Sequence, residues 1–170
     1  MRNYLGFGIS IGVLAGIWTQ VSVELSLVTW VAFVAWASFY AAGGGREGYA
    51  RGLAANLSGA VWGYLVSLLV KQVTFNGALA IAVAVIAFAM CIQASVPLLS
   101  FIPGAFAGAA SFFGTGFDLT GTVLALVLGA SLGWLSAVLA ARIQSAVDRG
   151  APVAPVAPMA AVPDAAPSAP

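Results

Sequence analysis

Long apolar runs separated by short polar breaks occupy almost the whole chain. Five runs are plain: Tyr4–Val23, Ser26–Ala42, Gly52–Val70, Ala78–Val96 and Thr120–Ala141. Each approaches the roughly 20 residues that carry a helix across a ~30 Å hydrocarbon layer. A sixth stretch, LLSFIPGAFAGAASFFGTGF, lies between Pro97 and Asp118 and is interrupted by Pro103 and Gly104. It reads either as a short kinked span or as a re-entrant piece. With six spans and the N-terminus inside, Arg2, Arg46, Arg51, Arg142 and Arg149 are cytoplasmic and only Lys71 is outside, the bias expected of inner loops. A re-entrant sixth stretch would move Arg142 and Arg149 outside. Six helical spans with both termini cytoplasmic are therefore expected. The first run is too long for a signal-peptide core and lacks a small-x-small cleavage site, so it reads as an uncleaved anchor.

The pattern repeats. FVAWASFYAAG (33–43) and FAGAASFFGTG (106–116) align at a spacing of 73, and QVSVEL (20–25) then falls on QASVPL (93–98). Between Gln20 and Gly43 the match gives ten identities in 24 positions, among them Gln20/Gln93, Phe33/Phe106, Ser38/Ser111 and Phe39/Phe112. Chance supplies about one match in ten at such residue frequencies. A shift of three residues pairs GAVWGYL (59–65) with GASLGWL (129–135). The competing explanation is that apolar helices rich in Ala, Gly, Phe and Leu resemble one another, but it does not account for paired glutamines. Each copy, about 4–70 and about 77–141, holds three spans. An odd number forces the second copy to enter the membrane upside down. The expected fold is all-α, a 3+3 inverted-topology repeat of the kind that places solute paths at the repeat interface.

Composition agrees with the pattern and narrows the chemistry. The chain of 170 residues is 62% hydrophobic and 6% charged, with mean hydropathy +1.05, against about a quarter charged in soluble domains. Integral membrane protein follows. A net charge of +1 gives no basic face for nucleic acid. One cysteine and no histidine leave no disulfide framework and none of the usual metal or haem ligand sets, so no metal and no cofactor are expected. Glu24, Lys71 and Asp118 fall at span ends, leaving no mid-membrane charge to couple an ion. No nucleophile–base set suggests an enzyme. The last twenty residues hold six of the eight prolines, and 150–170 read as a disordered Ala/Pro-rich tail after a membrane domain of 1–149.

The candidate path is drawn from the repeat. Gln20 and Gln93 can both donate to and accept from a polar solute, or can serve as glue between helix backbones. Phe33, Phe39, Phe106 and Phe112, with Ser38 and Ser111, could form a flat slot with hydroxyls in its wall, or could face lipid and pack the bundle. Pro103 frees a carbonyl, useful at a cavity, or simply kinks the span. Glycines spaced by four (Gly8/Gly12/Gly16, Gly59/Gly63, Gly104/Gly108, Gly129/Gly133) mark close helix contacts, some of them between subunits of a homo-oligomer. GGGREG (43–48) matches a dinucleotide fingerprint in spelling only, with no strand before it and no acidic residue about twenty positions on. Arg46, Glu47 and Arg51 read as a loop, and Cys91 as a small buried residue.

MCIQASVPLLSFIPGAFAGAASFF (90–113), with GVLAGIW (12–18) and SGAVWG (58–63), resembles the YcdZ-like family of short bacterial inner-membrane proteins, a domain of unknown function. The similarity covers about 5–141 and implies location in the bacterial inner membrane. It supplies no functional residues. The functional expectation, a channel or facilitator for a small uncharged polar solute with urea-like amides favoured, rests on the repeat and the missing charges. An alternating-access secondary transporter and a non-transporting scaffold are the competing readings.

Overall fold

The computed structural model describes residues 4–73 and 75–149; the Ala/Pro-rich segment 150–170 and Arg2 lie outside them. Six α-helices follow in order: α1 (Leu5–Glu24), α2 (Thr29–Ala41), α3 (Gly45–Val70), α4 (Ala78–Ile92), α5 (Ile102–Gly114) and α6 (Leu119–Arg149). There is no strand among the described residues. Four helical stretches, Leu5–Glu24, Gly45–Val70, Ala78–Ser95 and Leu119–Arg149, are long and apolar enough to cross a membrane. At 13 residues each, α2 and α5 run only about 20 Å.

Several boundaries differ from the sequence reading. Pro103 is not a mid-span kink: a 3-10 turn at Gln93–Ser95 ends the run that began at Ala78, a second at Pro97–Leu99 takes up the start of the sixth stretch, and Pro103 stands in the first turn of α5. An N–H is surplus there and proline's φ suits the helix. Arg46, Glu47 and Arg51 are helical, because α3 begins at Gly45, and Arg51 closes on Glu47 one turn away at 3.0 Å. Cys91 is exposed on the outer face of α4 rather than buried.

The chain doubles back between α1 and α2. The indole of Trp18 near the end of α1 donates to the carbonyl of Thr29 at the start of α2 (3.1 Å), and the far end of α2 returns to the start of α1, where Tyr40 meets Phe7 edge to face. Burial is confined to narrow stripes. On α1 it takes every fourth position, Gly6, Ser10, Leu14, Trp18 and Ser22, and leaves Val13, Ile17 and Val21 outside. Exposed apolar faces of that kind suit lipid.

Buried positions recur along the chain. Val31, Ala32, Ala35, Trp36, Ser38 and Phe39 are buried on α2, and Gly104, Ala105, Gly108, Ala109, Ser111 and Phe112 on α5, each pair 73 apart. On α3 the positions from Gly52 to Val66 that are buried reappear on α6 from Thr122 to Ser136, each pair 70 apart. The turns after α2 and α5 share their hydrogen bonds too: Ala42 N–H to Ser38 and Thr115 N–H to Ser111, Gly43 to Tyr40 and Gly116 to Phe113, Gly44 to Phe39 and Phe117 to Phe112. Both turns pass through positive φ, at Gly43, Gly44 and Gly45 in the first and at Gly116 and Phe117 in the second. Glycine reaches that region without steric cost.

Candidate functional site

The centre of the bundle is made by two crossings. In one, α3 lies on α5: a Cβ on Gly59 would overlap the carbonyl oxygen of Ala105, and one on Gly108 would overlap that of Asn56. In the other, α6 lies on α2: a Cβ on Gly129 would overlap the carbonyl oxygen of Ala32. Beyond each crossing an aromatic ring fills the next glycine notch, Phe112 over Gly63 and Phe39 over Gly133, with ring atoms 2.9 Å from a Cβ placed there. Backbones in direct contact leave the helix pairs closer than side-chain-separated helices stand. Phe39 (1% exposed) and Phe112 (0% exposed) plug what remains.

At the first crossing sits Asn56, completely buried. Its Oδ1 accepts from Ser38 Oγ of α2 at 3.1 Å, while its Nδ2 has no partner among the described residues. Turning the amide over only exchanges which end is left without one. A buried donor without a partner costs about 1–3 kcal/mol. The position 70 residues later is Leu126, equally buried. A buried aliphatic side chain therefore stands where the 70-residue spacing falls on the amide. Asn56 is the functional candidate that the sequence reading missed; comparing ANLSGA (55–60) with ALVLGA (125–130) shows two polar residues set against leucine, Asn56 and Ser58, of which Asn56 is the fully buried one.

The residues singled out in the sequence are not brought together as a set. Ser38, Phe39, Ser111 and Phe112 are buried at the centre, Ser38 bonded to Asn56 and Ser111 to the Ala107 carbonyl one turn back (2.8 Å). Phe33 and Phe106 stand on the outer surface, 36% and 44% exposed, as does Pro103. Gln20 is on the outer face of α1, its Nε2 donating to Glu24 at 2.9 Å. Gln93 is partly buried against α3, accepting from the Trp62 indole (2.8 Å) and donating to Ser58 Oγ (3.0 Å). A second polar node ties α2 to α6. Ser136 Oγ receives the Trp36 indole N–H at 3.0 Å and shares a hydrogen bond with the Tyr40 hydroxyl at 2.7 Å. Among the described residues no group of three His, Cys, Asp or Glu could hold a metal.

Clefts lie at the periphery. One of about 270 Å³ runs between α3 and α4 and is lined by apolar side chains such as Trp62, Val66, Ala82 and Ile86. Another, of about 430 Å³, opens between the start of α3 and the middle of α6.

Comparison with known proteins gives a consistent result. The chain is 36% identical over 148 residues to the Uncharacterized protein YahC of Escherichia coli strain K12, covering 80% of this chain and 90% of that protein. It is 36% identical over 138 residues to the Inner membrane protein YcdZ of the same strain, covering 79% of this chain and 83% of the relative. The Inner membrane protein YcdZ of Salmonella typhimurium strain LT2 is 33% identical over 138 residues, with 79% and 85% covered. No solved structure matches. Residues 8–141 match the family model described as Protein of unknown function (DUF1097), and the chain belongs to that family.

Proposed function

We propose that this is a bacterial inner-membrane permease for a small uncharged polar solute, urea-like amides first among them. The fold would be a 3+3 inverted repeat of six spans, with α1–α3 and α4–α6 as its halves and both termini cytoplasmic. The observation that carries the reading is the buried, half-paired amide of Asn56 at a glycine crossing between the two halves. In inverted-repeat transporters the solute site lies at the repeat interface near the bilayer midplane. A membrane-buried polar group without a full set of partners is a functional-site hypothesis by default.

Reciprocity supports the repeat. The third helix of each half packs on the second helix of the other, through pairs that recur at constant spacing: Gly59 on Ala105, and Gly129 on Ala32. Such exchange of equivalent contacts is what a two-fold relation produces. Close packing at both crossings favours passage by parting the helices, alternating access, over a standing pore. The proposed path uses Asn56 and Ser38, with Phe39 and Phe112 as plugs and Ser111 beside them. The outward faces of Gln20, Phe33, Phe106 and Pro103 keep them off it. Gly8, Gly12 and Gly16 have nothing among the described residues within 4 Å of a Cβ, unlike Gly59 or Gly129. Their open face on α1 supports assembly as a homo-oligomer.

A scaffold without transport is the second reading, favoured by the Gln93 bonds to Ser58 and Trp62, which act as helix glue. Proteoliposomes separate the two. Uptake of labelled urea, formamide or glycerol, with counterflow of the same solute, is expected to exceed that of protein-free vesicles and to saturate. Uptake indistinguishable from empty vesicles for the whole panel would remove the permease reading and leave the scaffold.

A further inference from the structure

We propose that the cleft between the first turns of α3 and the middle of α6 binds the phosphate of an anionic phospholipid. The cleft is an open depression of about 430 Å³ lined by Arg46, Tyr49, Ser131 and Trp134. No carboxylate among the described residues lines it, and the nearest in sequence, Glu47, is engaged with Arg51 at 3.0 Å. The Arg46 guanidinium therefore has no acidic partner among the described residues. Its planar fork matches two phosphate oxygens. Ser131 Oγ gives its proton to the Val127 carbonyl at 2.8 Å, so it can only accept from the Tyr49 hydroxyl 3.4 Å away. That second bond is long, and the Tyr49 proton is available to a better acceptor in the cleft. Trp134 stands edge-on to Tyr49, ring centroids 6.0 Å apart at 83°, and closes the wall with a third potential donor.

Two features favour a lipid over a free phosphate ion. The cleft lies between two helices long and apolar enough to cross a membrane, and Arg with Trp and Tyr is the side-chain set of the membrane–water boundary. Basic pockets between membrane helices take anionic head groups. Leu124, two turns before Ser131 on the same helix face, is 45% exposed and offers apolar surface for an acyl chain.

Native mass spectrometry of the full chain in neutral detergent, with phosphatidylglycerol and phosphatidylcholine at equal concentration, tests the assignment. Wild type is expected to retain phosphatidylglycerol preferentially. Arg46→Gln is expected to retain about tenfold less, the loss of one charge-assisted phosphate contact. Arg142→Gln, outside the cleft, is expected to retain as much as wild type. Arg46 is exposed, and an unchanged circular dichroism spectrum of the variant checks that it folds. Inorganic phosphate or glycerol phosphate is expected to leave the bound lipid in place. Equal retention by Arg46→Gln and wild type, equal retention of the two lipids, or displacement by soluble phosphate would each overturn the proposal.

Discussion

Gly59→Leu is expected to abolish folded protein in the membrane, and Gly129→Leu to do the same at the other crossing. At both positions even the first carbon of a side chain would overlap a carbonyl oxygen of the facing helix, Ala105 in one case and Ala32 in the other. Backbone cannot rotate away as a side chain can, so the helices must separate and the apolar contacts around the crossing open with them. Overpacking a core costs about 1–3 kcal/mol where side chains can adjust; here about 3 kcal/mol is a lower limit. Gly12→Leu is the matched control, since nothing among the described residues lies within 4 Å of a Cβ there. Detergent-extracted yield and thermal unfolding of the three variants check the contrast. Equal unfolding temperatures for Gly59→Leu and Gly12→Leu would show that the two central crossings do not hold the fold together.

Asn56→Leu is expected to move stability and transport in opposite directions. Leucine stands at the position 70 residues later, Leu126, and is as fully buried. The substitution removes a donor without a partner, which costs about 1–3 kcal/mol while it stays unpaired, and it gives up one 3.1 Å bond from Ser38. Removing both ends of that bond, in Asn56→Leu/Ser38→Ala, leaves no orphan and is expected to be the more stable protein. Both variants are expected to lose saturable uptake in proteoliposomes. A stability gain without loss of uptake would take Asn56 off the path, and destabilisation comparable to a core truncation would make it a packing residue.

The outline of this fold is legible in the apolar runs, because crossing a membrane demands length and hydropathy that soluble helices do not. The ends of the helices are less legible. The start of α3 lies seven residues before its apolar run, since Gly44 and Gly45 at positive φ end the turn and let Arg46 and Glu47 enter the first helical turn. Pro103 looks like a break in sequence, yet the 3-10 turns before it make it a starting residue for α5. The glycines at spacing four announce close contacts, but not which helix each will meet. Gly59 and Gly129 find partners within the subunit, while Gly8, Gly12 and Gly16 find none among the described residues.

The site was less readable than the fold. Matching the two copies draws attention to residues they share, such as Gln20 and Gln93. Gln93 bridges Ser58 and Trp62, and Gln20 bonds to Glu24 on its own helix. A residue that the copies do not share, at a place both bury, is the more informative one, and Asn56 against Leu126 is that place. Finding it required the burial pattern, because in sequence an asparagine inside an apolar run has no marked face.

The inverted repeat depends on α2 and α5 crossing the membrane despite their 13 residues. Asn76, between α3 and α4, decides it. In a background where Cys91 is replaced by Ala, a single cysteine at Asn76 or at Ser145 near the end of α6 can be labelled with a membrane-impermeant maleimide in oriented vesicles. With six crossings, three in each half, Asn76→Cys reacts only from the periplasmic side and Ser145→Cys only from the cytoplasmic side. Labelling of both positions from the same side would mean that only the four long helices cross, and the inverted repeat would be wrong.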